Sequence, residues 1–158
     1  MGKALNIRGE HGDEHRTYAG KTWPLGTRMH LADGRVFRYT LAGTSALAVA
    51  RVMQAARQDE DLVDAPVVFP RTGPRDFAIS LRGTSPKRVT ASTYEDGLLY
   101  VNDGTGEGHS YHVAGNSLLQ PGDPSAQLTV HLDSDWVTLP NDTTRVTLLR
   151  NRYSAGSQ

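Results

Sequence analysis

The chain has 158 residues, with 17 Lys and Arg against 17 Asp and Glu, and no Cys. That length suits one domain. Zero net charge argues against a nucleic-acid binder relying on bulk positive charge, and the lack of thiols excludes disulfides, thiolate metal sites and cysteine catalysis. Only 37% of residues are hydrophobic, which implies a thin core, long polar segments or surface meant for a partner. No run of about 18 apolar residues is present to form a membrane-spanning helix.

Residues 1–28 show neither a helical nor an alternating apolar period. Gly2, Gly9, Gly12, Gly20 and Gly26 interrupt them, and the large apolar groups are scattered. Such a segment cannot offset its chain entropy alone. Without an apolar h-region it is not expected to be a secretory signal. The expectation is an extended N-terminal arm, either frayed or ordered on a partner. Trp23, Pro24 and Leu25 are its candidate anchors and Arg8 and Arg16 its candidate ionic contacts, since Trp is enriched at binding hot spots.

A hairpin follows. Met29–Leu31 and Arg35–Leu41 flank Ala32-Asp33-Gly34, and Asp-Gly suits a two-residue type I′ turn. Arg35, Phe37, Tyr39 and Leu41 share one face of the second strand. Residues 42–58 read equally as a short helix and as an extended piece. Asp59, Glu60, Asp61 and Asp64 read as an exposed loop.

From Pro66 onward the pattern is β. Val67–Phe69, Phe77–Leu81, Arg88–Tyr94, Leu98–Val101, His109–Val113, Gln127–Leu132, Trp136–Leu139 and Arg145–Arg150 read as short strands separated by Gly, Pro, Asn and Asp clusters. The expected fold is all-β: a small barrel or sandwich of about seven to eight strands, with at most one short helix. Residues 29–153 form this β domain, and 154–158 form a polar tail.

Four constellations are candidates for chemistry. His11-Gly12-Asp13-Glu14-His15 matches an H-x-x-E-H metalloprotease pattern, but Gly9 and Gly12 weaken the helix that zinc ligation would need. The stretch Asn102–Ser110 is rich in Gly, yet it lacks the Lys of a P-loop and runs into a strand rather than a helix. It reads as a strand-to-strand connection whose glycines supply positive φ, with Asn102 and Asp103 capping the turn. His109, His112, His131 and Ser110 come without a G-x-S-x-G elbow. Arg145, Arg150 and Arg152 read as a solvated strand edge. No catalytic residue, metal site or cofactor is expected.

Several segments acquire meaning together: Asp33–Tyr39, Leu41–Ala48, Gly97–Val113 and Val146–Tyr153. In that order and spacing, over about residues 21–153, the chain resembles a family of small structural proteins of tailed bacteriophages associated with capsid decoration, or cementing. The resemblance implies a β-rich, non-enzymatic protein on the outer surface of the virion that clamps neighbouring major capsid subunits. It implies a homo-oligomer, with a trimer favoured; from the charge balance and the lack of a long apolar run, no nucleic-acid or membrane partner is expected. It also implies a helical turn near Ala46–Ala48. The rival readings are another virion component (tail, collar or head fibre), a glycan-binding module using Tyr94, Tyr100, Tyr111 or Trp136, and the His11–His15 metal site.

Overall fold

In a computed structural model, residues 5–43, 54–68, 73–80, 88–120 and 127–154 are described. Their regular structure is almost wholly β, as the alternating pattern predicts. Nine strands occur among them, with two one-turn 3-10 segments. The chain divides into two compact units, each described separately below. One comprises residues 58–150 together with Met1–Gly2, the other residues 3–57 and 151–158.

The larger unit is a closed barrel. Its strands are β4 (Ala65–Val68), β5 (Asp76–Ser80), β6 (Leu98–Asp103), β7 (Ser110–Asn116), β8 (Gln127–Leu132) and β9 (Arg145–Leu149). They close in the order β4-β5-β8-β7-β6-β9, and every neighbouring pair is antiparallel. Closure removes the open sheet edges that would invite aggregation. Because side chains alternate along a strand, every second residue enters the lumen. Phe77, Ile79, Leu99, Val113, Leu128, Val130, Val146 and Leu148 are fully buried there. Each such side chain is worth roughly 1.5–3 kcal/mol of transfer free energy. Trp136 joins the core beside Tyr111 and Phe77, at ring-centroid distances of 4.7 and 5.1 Å.

Two segments expected as strands are not strands. Arg88–Tyr94 contributes one bridge, Val89 to Leu119, and then turns. Its hydroxyls compete for the backbone: Thr93 Oγ1 donates to Thr90 O at 2.8 Å, and Thr90 and Thr93 share a hydroxyl contact of 2.7 Å. Ser92 and Asp96 both take positive φ, near 60°. Trp136–Leu139 is irregular as well, because Trp136 is drawn into the core while Val137 is left 76% exposed.

The acidic stretch is more than a loop. Glu60–Leu62 makes a 3-10 turn in which Asp59 accepts the Asp61 N–H, and Leu62 is fully buried. A bulge between Val113 and Gly115 on β7 breaks the alternation, so that Gly115 and Asn116 are both buried.

The smaller unit holds a three-stranded sheet of β1 (Asn6–Arg8), β2 (Arg28–His30) and β3 (Val36–Arg38), in the order β1-β2-β3. The expected arm of residues 1–28 is therefore not an extended arm throughout. β1 pairs in parallel with β2, with Ile7 opposite Met29, and Arg28 N donates to Leu5 O at 2.9 Å. The contacts also place residues 29–43 with this N-terminal part rather than with the barrel. The C-terminal segment returns to the same unit: Leu41 N donates to Tyr153 O at 2.9 Å and Asn151 Nδ2 to Leu25 O at 3.3 Å.

The β2–β3 hairpin forms as expected, with a different turn. Leu31 and Arg35 pair through Leu31 N–H to Arg35 O, and Gly34 N donates to Leu31 O. Gly34 has φ 88°, whereas Asp33 is not among the positive-φ residues. This is a three-residue loop, a type I turn ending in a left-handed Gly, rather than type I′. The helical turn expected near Ala46–Ala48 lies outside the described residues, as do residues 155–158 of the tail.

Candidate interaction surface

The three-stranded sheet has two chemically distinct faces, because each strand alternates exposed, half-buried, exposed. Ile7, Met29 and Phe37 are cross-strand partners in one row. They line a cleft of about 400 Å³ together with Tyr18, Trp23 and Tyr39. Tyr39 organises the far side: its hydroxyl accepts the Thr22 N–H at 3.0 Å, donates to Gly20 O at 3.3 Å, and its ring meets Tyr18 edge-on at 6.1 Å. Aromatic groups with a polar handle at one end are common binding surfaces.

The opposite face is basic. Asn6, Arg28 and Arg38 form one row across the sheet, and Arg8, His30 and Val36 form the next. Like charges directly opposite each other cost stability, so Arg28 facing Arg38 is an arrangement with a cost. Arg38 is partly engaged, donating to Gly26 O at 3.0 Å and lying 5.6 Å from the Tyr153 ring.

Glu14 also lines the cleft. Its side chain is 3% exposed, and its carboxylate accepts the Gly12 N–H at 2.6 Å and lies 3.3 Å from Arg35 Nη2. Its own backbone N–H, above all, holds its carboxyl below the ordinary glutamate value. The Gly12 N–H and the Arg35 and His11 charges act in the same direction, against the opposing effect of desolvation. The would-be base of the H-x-x-E-H pattern is thus committed to Gly12 and Arg35. Asp13–His15 is a single 3-10 turn entered through Gly12 at φ 100°, and His11 is 89% exposed.

The five expected contact residues fare differently. Arg8 is exposed on the basic sheet face. Arg16 is exposed and paired with Asp13 at 2.9 Å. Trp23 is half-buried in the cleft lining. Pro24 is half-buried, and its carbonyl accepts both Thr27 N and Thr27 Oγ1. Leu25 is 7% exposed. It occupies the second position of the Pro24–Thr27 turn, whose third residue, Gly26, has φ 86° as a type II turn requires. That turn points Leu25 inward, so it serves this chain's own packing and not a partner. Phe37 and Tyr39 were legible as strand residues sharing a face. Tyr18, which meets Tyr39 from a stretch without a period, and the Arg28 and Arg38 pair, set by the exact register of the hairpin, were not.

In the barrel unit, Gly104, Gly106 and Gly108 all take positive φ, and Asp103 accepts the Gly104 N–H at 2.7 Å, so the Asn102–Ser110 stretch is a connection. Asn102 instead reaches across to Thr147 Oγ1 at 2.6 Å. His131 pairs with Asp76 at 2.8 Å on the outer surface of the barrel. Of the aromatics a glycan site in the barrel would use, Tyr94, Tyr111 and Trp136 are buried, and Tyr100 is 40% exposed. No family model, curated protein or solved structure matches the chain.

The two units differ sharply in charge. Residues 3–57 and 151–158 carry ten Lys and Arg against four Asp and Glu, an excess of six positive charges. The remaining residues carry seven against thirteen, an excess of six negative charges.

Proposed function

We propose that the chain is a non-enzymatic structural protein of a tailed-phage virion, which decorates the outer capsid surface and stabilises it by bridging neighbouring major capsid subunits. The observation that carries this reading is the pairing of a side-chain-filled barrel with a second unit that presents an aromatic cleft and a basic face. The resemblance over residues 21–153 supplies the partner class and the homo-oligomer, with a trimer favoured. A protein that binds only the assembled shell stabilises it by mass action. The aromatic cleft also supports a second reading, a glycan-binding module, in which Tyr18, Trp23 and Tyr39 would stack on sugar rings.

Deleting residues 1–20 would be a poor test, because it removes β1 and Glu14 with the rest. The cleaner variant is Trp23→Ala. Truncating a central aromatic anchor typically costs at least about 2 kcal/mol of binding. Binding to expanded shells should therefore weaken more than tenfold while the barrel stays folded. Unchanged shell binding would remove the cleft from the contact, and saturable binding of oligosaccharides by the wild-type chain would favour the second reading.

A further inference from the structure

We propose that the basic sheet face of one copy docks head-to-tail on an acidic, apolar end of the barrel of a second copy. The first surface is the row pair already described. Among the described residues Arg8, Arg28 and His30 carry no side-chain ion pair or hydrogen bond, and Val36 beside them is 50% exposed.

The second surface is built from two loops of the barrel unit that lie against each other. A Cβ on Gly104 would come within 2.6 Å of Thr143 O, and one on Gly106 within 3.6 Å of Thr138 O. Thr144 Oγ1 donates to Thr105 O at 3.1 Å. This contact brings Glu107 and Asp142, both exposed, to the same end as Val137 and Leu139, which are 76% and 56% exposed. Asp103 and Arg145 lie there too as register partners on β6 and β9, so that with Glu107 and Asp142 this end carries an excess of two negative charges.

The two surfaces match in kind. Each has exposed apolar surface beside charge of one sign, Val36 on the first and Val137 and Leu139 on the second, and the signs are opposite. An apolar centre with a charged rim is the usual anatomy of a protein interface, and complementary charge sets register and speeds encounter. The equal and opposite excess of six charges on the two units favours a second copy over a foreign partner. An interface between unlike surfaces closes into a ring if the rotation allows, or extends if it does not. The inference deepens the homo-oligomer of the preceding section. It is tested without any shell, so its failure leaves shell binding untouched.

The test is sedimentation velocity of the purified full chain over a concentration series. In about 0.1 M salt the mass should rise above the 17.2 kDa monomer. In about 1 M salt, where the Debye length falls from about 10 Å to about 3 Å, it should return towards the monomer. The double variants Arg8→Glu/Arg28→Glu and Glu107→Arg/Asp142→Arg, each checked for fold by circular dichroism, should each lose association at least tenfold. An equimolar mixture of the two should associate again. A monomer at every salt and concentration overturns the proposal and turns the arginine face towards an acidic partner of different sequence. Association that ignores salt, or a mixture that stays monomeric, overturns it equally.

Discussion

Asn116 is the residue on which the barrel's least regular segment depends. The β7 bulge buries it, and its side chain then makes three hydrogen bonds. Oδ1 accepts the Tyr94 N–H at 2.8 Å, and Nδ2 donates to Thr90 O at 3.0 Å and Ser117 O at 2.8 Å. Asn116→Ala leaves the Tyr94 N–H buried without that acceptor, which costs roughly 1–3 kcal/mol, and removes two further bonds worth about 0.5–1.5 kcal/mol each. The expected loss is about 3 kcal/mol. At roughly 2–4 °C per kcal/mol for a chain of this size, that lowers Tm by about 6–12 °C. Asn116→Asp should do no better, because it keeps the acceptor but loses both donors and sets a carboxylate against two carbonyls. The assay is denaturant unfolding followed by Trp136 fluorescence in a Trp23→Phe background, which leaves one Trp of the two, placed in the barrel core. A loss below about 1 kcal/mol for Asn116→Ala would refute the argument that this side chain holds the 90–96 turn.

Two further predictions concern the smaller unit. Gly26→Ala combines a φ of 86° with a Cβ within 2.8 Å of the Tyr153 ring, and should destabilise that unit by about 1–3 kcal/mol. Adding Tyr153→Ala should recover only the steric part, read by Trp23 fluorescence; full recovery would show that backbone strain is not part of the cost. Glu14, with its carboxyl held low in the folded state, stabilises the unit above the ordinary glutamate range, and that contribution is lost as pH falls through its own lowered value. Glu14→Gln should therefore weaken the unit at neutral pH and flatten its acid limb; an unchanged acid titration would rule out this contribution of Glu14.

The barrel was legible because its strands alternate cleanly. Phe77 and Ile79, Leu128 and Val130, and Val146 and Leu148 each place apolar groups two apart, and the structure puts all six in the lumen. Where local propensity and tertiary demand parted, the pattern misled. Thr90, Thr93 and Tyr94 are good strand residues, yet hydroxyl-to-backbone bonds and the reach of Asn116 make that stretch a turn. Trp136 and Val137 look like adjacent strand positions until the Trp is needed to pack on Tyr111.

The smaller unit was hardest to read. β1 has three residues and pairs in parallel with β2, some twenty positions later. So short a strand gives no period, and its partner is chosen by contacts far along the chain. The candidate contact residues followed the same division. Trp23, Arg8 and Arg16 keep exposed or half-buried positions, because nothing in the unit needs their whole surface. Leu25 was lost to a turn whose signature, Leu25-Gly26 after Pro24, is present in the sequence.

The central claim, decoration of a capsid, is tested most directly by co-sedimenting the purified chain with expanded, undecorated shells of its own virus, alongside a melting curve of the shells. The account predicts saturable binding at a fixed ratio to capsid subunits and a raised shell Tm. Shells that sediment without the chain, and melt at the same temperature in its presence, would contradict it.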